Sequence, residues 1–259
     1  LTVPHPSHAI LQKRNAHGFL TLPTLRVTAS LIIPAYNEEG RLPTFLEELV
    51  AFARKAPSVL NEVLVVDDGS TDRTAMVAHT FADRLPLRVI RLSENRGKGA
   101  AVRTGILESR EDIVVFMDAD GATAPEELPN LLAALDHAPI AVGNRWMPRS
   151  VVAGRDSFRS FSGWIYRRYV DLFGLRGIDT MCGFKGFRRE VAQSLFETLR
   201  EERWLFDTEI MLRARRRGYA VESVPIRWTS KHGSKLKLPV LIQAVFQIPF
   251  LAARVASER

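Results

Sequence analysis

Ile113-Val114-Val115-Phe116-Met117-Asp118-Ala119-Asp120-Gly121 is the stretch that decides the fold. Its five apolar residues predict a short buried strand, and two carboxylates stand at the strand's C-terminal end. In an open α/β sheet that end is where ligands bind. Carboxylates one residue apart in extended backbone point to the same side, so Asp118 and Asp120 are placed to share one hard cation. Mg²⁺ is usually held by one or two carboxylates plus substrate phosphates. The expectation is a metal-dependent enzyme acting on a sugar nucleotide.

Working outward, the same pattern recurs. Leu31–Ile33 predicts a strand ending at Pro34, where a ladder donor is lost. Leu42, Phe45, Leu46, Leu49 and Phe52 recur at helical spacing over 41–55. Val63–Val66 predicts a strand running into Asp67-Asp68-Gly69-Ser70-Thr71, then a helix to about Phe81 capped by Ser70 or Thr71. Leu87–Ile90 is a third strand, and Asn95-Arg96-Gly97-Lys98-Gly99 opens a helix reaching Ser109. After Ile113–Met117, Pro125 starts a helix ending near His137, and Ile140–Val142 is a fifth strand. Strands alternating with helices at this spacing imply βαβ units and a mostly parallel sheet.

Beyond Asn144 the rhythm changes. A loop is expected over 146–157, a helix over 158–173, a loop and short strand over 179–188, and helices over 190–200 and 204–217. Ala220–Ile226 is expected to be the last strand.

Composition bounds the class. At 259 residues, 46% hydrophobic and 25% charged, the chain is long enough for a sizeable globular core. A single cysteine, Cys182, rules out an internal disulfide and a cysteine-based zinc site, and fits a reducing compartment. No run reaches the ~20 apolar residues of a spanning helix, and the N-terminus carries no signal-peptide pattern. Residues 1–144 hold 14 Lys and Arg against 18 Asp and Glu, whereas residues 145–259 hold 22 against 11. The acidic half contains the metal-site candidates, and the basic half is expected to face something anionic.

Three polar clusters fall at the ends of successive strands: Pro34-Ala-Tyr-Asn-Glu38, Asp67-Asp-Gly-Ser70 and Asp118-Ala-Asp120. Singly each suits a turn or helix cap; together they concentrate carboxylates on one rim. With Asn95–Gly99, Asp118–Thr123, Asp179–Lys185, Arg203–Glu209 and Gly233–Leu236, this set resembles the family 2 inverting glycosyltransferases of the GT-A fold. It is most like their dolichyl-phosphate β-glucosyltransferase branch, near the dolichyl-phosphate mannose synthases, over about residues 30–237.

The resemblance implies roles residue by residue. Pro34, Tyr36, Glu38, Val66 and Asp68 would line the nucleotide pocket. Asp118, Ala119 and Asp120 would meet the diphosphate, with Mg²⁺ or Mn²⁺ on the two carboxylates; Lys98, by its own position, suits either a phosphate contact from a helix N-terminus or a plain helix-opening loop. Arg145, Arg159 and Lys235 would lie near the diphosphate or the acceptor phosphate; apart from the resemblance, Asp207 and Glu209 are candidate bases or a helix N-terminal acid pair. The chain would divide into an arm (1–29), a catalytic domain (30–237, with a nucleotide-sugar half at 30–144 and an acceptor half at 145–237) and a C-terminal tail (238–259).

The expected reaction moves a hexose, glucose from UDP-glucose in the first instance, to a polyprenyl phosphate. A phosphate monoester has a second pKa of ~6, so this acceptor needs no general base. A hydroxyl acceptor would need one, for which Asp207 is the candidate. Mannosyl transfer from GDP-mannose is the alternative; Gly233-Ser-Lys-Leu236 fits the glucosyl branch, and Thr229 stands where the mannose synthases carry arginine. The uncharged run Leu238–Ala253, flanked by Lys231, Lys235, Lys237 and Arg254, suits either a membrane interface or packing on the domain. The expected location is cytoplasmic, peripheral on the cytoplasmic face of a membrane. A basic nucleic-acid-binding protein is the non-enzyme alternative; no nucleic-acid motif supports it.

Overall fold

A computed structural model describes residues 28–154, 157–231 and 238–258, without the side chains of 157–159 and 238–244. Most of the N-terminal arm, Lys235 and the Gly233–Leu236 motif lie outside the described residues, as does the side chain of Arg159. Seven strands form the central sheet. They are β1 (Ala29–Ala35), β2 (Leu60–Asp67), β3 (Leu87–Arg91), β4 (Ile113–Met117), β5 (Ile140–Asn144), β7 (Phe184–Arg188) and β8 (Val221–Pro225), in the order β3-β2-β1-β4-β7-β5-β8. Only β7 runs antiparallel, between β4 and β5.

Both faces of the sheet are buried, and this is why its strands read as unbroken apolar runs. Leu31, Ile33, Val63, Val65, Val115 and Met117 point into one core, beneath α1 (Leu42–Lys55), α2 (Thr74–His79) and α4 (Leu128–Ala134). The alternate residues Ile32, Leu64, Val66, Val114 and Phe116 point into the other. That second core packs under α3 (Lys98–Glu108), α5 (Ser157–Asp171), α6 (Arg189–Glu197), α7 (Phe206–Arg216) and α8 (Leu238–Ser257). Truncating the buried Phe116 to alanine is expected to cost about 3–5 kcal/mol.

Several boundaries differ from expectation for local reasons. β1 does not stop at Pro34: its ladder with β4 ends at Ile32 opposite Phe116, while that with β2 runs on to Ala35. The missing proline donor therefore ends pairing on one side only. Pro125–Glu127 is a 3₁₀ turn before α4 proper. The expected loop over 146–157 contains β6 (Val151–Ala153), which pairs with an unexpected last strand, β9 (Arg227–Thr229). The C-terminal tail is not a separate segment. Ile248, Leu251 and Val255 of α8 are buried in the second core, so a boundary at residue 237 cuts through one packing unit.

Candidate active site at the rim of the sheet

The loops that follow β1 and β2 hold each other. The Asn37 N–H donates to Ser70 Oγ (2.9 Å), the Glu38 N–H to Thr74 Oγ1 (2.8 Å), and the Thr71 N–H to Asn37 Oδ1 (2.9 Å). Ser70 and Thr71 thus do not cap α2, as expected from sequence; Asp72 accepts the Thr74 N–H instead (2.9 Å). Asp67 turns inward, fully buried, to accept the Ser70 N–H. Asp68 faces the rim and accepts the backbone N–H groups of Arg96 (2.9 Å) and Gly97 (2.8 Å). Burial pushes the Asp68 carboxyl above its ordinary range, and those two hydrogen bonds oppose the shift.

The Asn95–Gly99 loop is in turn pressed against residues 201–203. Gly97 has φ +117°, and a Cβ there would lie 2.5 Å from the carbonyl oxygen of Glu202. Close backbone approach fixes glycine at this position, and it sets the first turn of α3 beside Asp118. Lys98 Nζ lies 2.5 Å from Asp118 Oδ1. Burial alone would lower the Lys98 amine, but Asp118 and Asp207 outweigh it and hold it up.

Asp118 and Asp120 themselves leave β4 side by side. The Asp118 N–H donates to the Gly183 carbonyl (3.1 Å), and its carboxylate lies over Gly183, where a Cβ would come within 2.1 Å of it. Asp120 accepts the Ala122 N–H (2.9 Å), and its carboxyl is pushed up by burial and then by Asp118. Among the described residues no group of three His, Cys, Asp or Glu could hold a metal ion. A cation here would share the two carboxylates and complete its shell from substrate oxygens or water.

These residues line one cleft of about 510 Å³. The structure brings Pro34, Tyr36, Glu38, Asp68, Lys98, Asp118, Ala119, Asp120 and Arg145 to it. It does not bring Val66, whose side chain is buried against α3 in the second core; Asp68, past the end of β2, reaches the rim. Glu38 is held by Arg41 Nε (2.7 Å). Arg145 forms a buried bidentate pair with Asp179, Nε to Oδ2 at 2.8 Å and NH2 to Oδ1 at 2.9 Å.

Two candidate bases are not among the residues that line the cleft. Asp207 is buried behind the cleft on α7, where its carboxylate accepts from Lys185 Nζ at 2.7 Å. Lys185, fully buried on β7, also donates to the carbonyls of Cys182 (2.5 Å) and Thr180 (3.2 Å). Glu209 faces α8: it accepts the Glu201 N–H (2.8 Å), Arg213 Nε (2.8 Å) and Arg254 NH2 (3.1 Å). Sequence reasoning missed further residues that line the cleft, Trp146, Tyr166, Arg167, Arg203, Trp204 and Trp228. Only Arg203-Trp204 lay within a motif that could have signalled them.

Comparison with known proteins agrees with this geometry. Residues 30–196 match Glycosyl transferase family 2. A dolichyl-phosphate beta-glucosyltransferase of Drosophila melanogaster is 41% identical, covering 91% of this chain and 80% of that protein. The dolichyl-phosphate beta-glucosyltransferase of Homo sapiens is 36% identical over 87% of this chain and 74% of its own length. In fold, the chain is similar to the crystal structure of Mycobacterium tuberculosis glucosyl-3-phosphoglycerate synthase in complex with Mn²⁺, UDP and glucosyl-3-phosphoglycerate. The TM-score is 0.64 at 19% identity, over 88% of this chain and 79% of that one. With the motifs on one rim and the match spanning most of its length, the chain belongs to glycosyl transferase family 2.

Proposed function

We propose that this enzyme transfers glucose from UDP-glucose to a polyprenyl phosphate of dolichyl type, with inversion at the anomeric carbon. One observation carries the reading: a single cleft is lined both by carboxylates, Glu38, Asp68, Asp118 and Asp120, and by cations, Arg145, Arg167, Arg203 and Lys231. The carboxylates suit a nucleotide whose diphosphate arrives with a divalent cation. The cations suit an acceptor that carries its own phosphate.

Asp118 and Asp120 fit a cation. They converge at a strand end, Asp120 is buried with its carboxyl pushed up by its neighbour, and Gly183 leaves room for the Asp118 carboxylate. Mg²⁺ or Mn²⁺ held there would offset the charge on the departing diphosphate. The protein's own groups do the rest. Asp68, Glu38 and Tyr36 position the nucleoside, and Lys98 is poised to leave Asp118 for a donor phosphate. An acceptor phosphate oxygen attacks the anomeric carbon from the face opposite UDP; the new C–O bond forms as the bond to the β-phosphate oxygen breaks. No protein base is required, since the acceptor is already ionised near neutral pH, and Asp207 is withdrawn into its pair with Lys185.

A membrane surface is the natural place to meet such an acceptor. No helix among the described residues is long and apolar enough to cross a membrane. Instead α5 exposes Phe161, Trp164 and Ile165, and α8 exposes Phe246 and Phe250, on neighbouring helices joined by a Tyr169 hydroxyl to Val245 carbonyl hydrogen bond (2.6 Å). Aromatic side chains on such a face suit the headgroup region.

The test is a donor screen with UDP-glucose and GDP-mannose, a polyprenyl phosphate acceptor, and Mg²⁺ or Mn²⁺, with products read by mass. Glucosyl polyprenyl phosphate is expected. Mannosyl product alone would overturn the donor assignment, and glucose transfer only to a hydroxyl acceptor would overturn the acceptor assignment.

A further inference from the structure

Several cations around the cleft are paired with carboxylates; Arg167, Arg203 and Lys231 form no ion pair among the described residues, and of these three Arg167 is the one with a buried, unpartnered guanidinium nitrogen. Arg41 is held by Glu38, Lys98 by Asp118, Lys185 by Asp207 and Arg145 by Asp179. Arg167 lines the cleft from α5 with its guanidinium over the Trp146 ring (5.7 Å to the centroid). Its Nε is buried without a hydrogen-bond partner, and among the described residues no carboxylate pairs with it. Asp171, one turn along α5, is engaged by Arg168 instead (3.3 Å). A buried donor on an unneutralised cation is costly, and a ligand with several acceptor oxygens would relieve it.

The helix that carries Arg167 has two unlike faces. Ser162, Gly163, Tyr166, Arg167 and Val170 line the cleft, whereas Phe161, Trp164 and Ile165 are exposed at 61%, 50% and 45%. The two sets follow helical spacing, so α5 is the wall between the cleft and the apolar surface outside. A molecule with a phosphate at one end and hydrocarbon at the other matches that wall on both sides. A free phosphorylated metabolite would match only the inner side.

We infer that Arg167 binds the phosphate of the acceptor, and that Phe161 and Trp164 on the outer face of α5 carry the adjoining hydrocarbon. The inference rests on the phosphate-acceptor reading above and deepens it. Arg167 supplies charge-assisted hydrogen bonds to the phosphate oxygens, and it acts on the acceptor without touching the donor.

The experiment measures steady-state kinetics of the full chain with three acceptors: a long polyprenyl phosphate, a water-soluble short-chain prenyl phosphate and 3-phosphoglycerate. UDP-glucose binding is measured in parallel by calorimetry. For Arg167→Met, the KM for both prenyl phosphates is expected to rise about tenfold to a hundredfold, with UDP-glucose affinity and melting temperature unchanged; Arg167→Lys recovers part of the loss. For Phe161→Ser with Trp164→Ser, the KM should rise for the long acceptor only. An unchanged acceptor KM in Arg167→Met overturns the phosphate assignment, as does an equal loss of UDP-glucose binding. Outer-face variants that leave the long acceptor unaffected, or wild-type transfer to 3-phosphoglycerate alone, overturn the lipid half. Wild-type enzyme that glucosylates no phosphate acceptor refutes the functional reading itself, and with it the role of Arg167.

Discussion

Replacing Lys185 with methionine separates a structural carboxylate from a catalytic one. Lys185 is fully buried on β7, and its ammonium makes three bonds, to Asp207, Cys182 and Thr180. Methionine keeps much of the stem's volume and removes the charge, leaving Asp207 buried without its nearest cation. Breaking a buried pair from one side costs about 3–5 kcal/mol, a large share of the ~5–15 kcal/mol that holds a domain folded. Burial already pushes the Asp207 carboxyl up, against Lys185 and Lys98. Without Lys185 it rises further above its unfolded value, so the variant should gain stability as pH falls through the folded value. Urea denaturation followed by circular dichroism at pH 7.5 measures the loss. Asp207→Asn alone strands the Lys185 ammonium and should also cost about 3–5 kcal/mol, whereas the double variant removes both charges and should lie within about 2 kcal/mol of wild type, so the two substitutions are strongly non-additive. Asp207→Asn alone should lower kcat by less than tenfold, since the carboxylate lies behind the cleft. A protein base is worth about 10²–10⁴-fold. A fall of that size in Asp207→Asn enzyme that is still folded under the assay conditions would refute the structural assignment.

Other variants report on different parts of the site. Asp118→Asn and Asp120→Asn should each abolish most metal-dependent turnover with little change in melting temperature; full activity in both would remove the metal assignment. Gly183→Ala places a methyl group 2.1 Å from the Asp118 carboxylate, so weaker Mn²⁺ binding by calorimetry is expected, by about tenfold or more. Arg145→Met should cost about 3–5 kcal/mol at pH 7. Burial alone would raise the Asp179 carboxyl, but Arg145 outweighs it and holds the group below its unfolded value. Its stabilisation is therefore complete above about pH 4 and lost as pH falls through the folded value. The gap between wild type and Arg145→Met should narrow on acidification. Phe246→Ser with Phe250→Ser, both on the exposed face of α8, should weaken binding to anionic vesicles in a flotation assay while leaving the fold intact.

The parallel part of the sheet was legible because its strands are buried on both faces, so Val63–Val66 and Ile113–Met117 stand out as apolar runs. β7 is harder to read. Phe-Lys-Gly-Phe-Arg looks half polar, yet Lys185 is wholly buried by its pair with Asp207, and Gly186 sits close against Leu131 and Leu135. β6 and β9 are three residues each and largely exposed, with no periodicity to detect. In the site, the residues at strand ends were legible because topology gathers such ends on one rim. Val66 was misplaced because it still lies inside β2 and packs into the second core, whereas Asp68 lies past the strand's end. Arg167 was not legible at all: in Tyr166-Arg167-Arg168-Tyr169, which arginine meets the cleft depends on how α5 is rotated against the sheet.

The Glu209 cluster changes how a shortened chain must be interpreted. Glu209 ties Arg254 of α8 to the backbone of residues 200 and 201, and Arg213 grips Glu258 (NH2 to Oε1 at 2.8 Å). The neighbouring Glu202 carbonyl accepts the Ala100 N–H, at the opening of the helix that presents Lys98 to Asp118. Removing residues 238–259 would strip two partners from a buried carboxylate and guanidinium, and the disturbance would run through 200–202 to the donor pocket. An enzyme trimmed there would lose activity on a soluble acceptor as well as on a lipid one. Such a loss would then be misread as failed membrane targeting, when the catalytic wall itself had been unpinned.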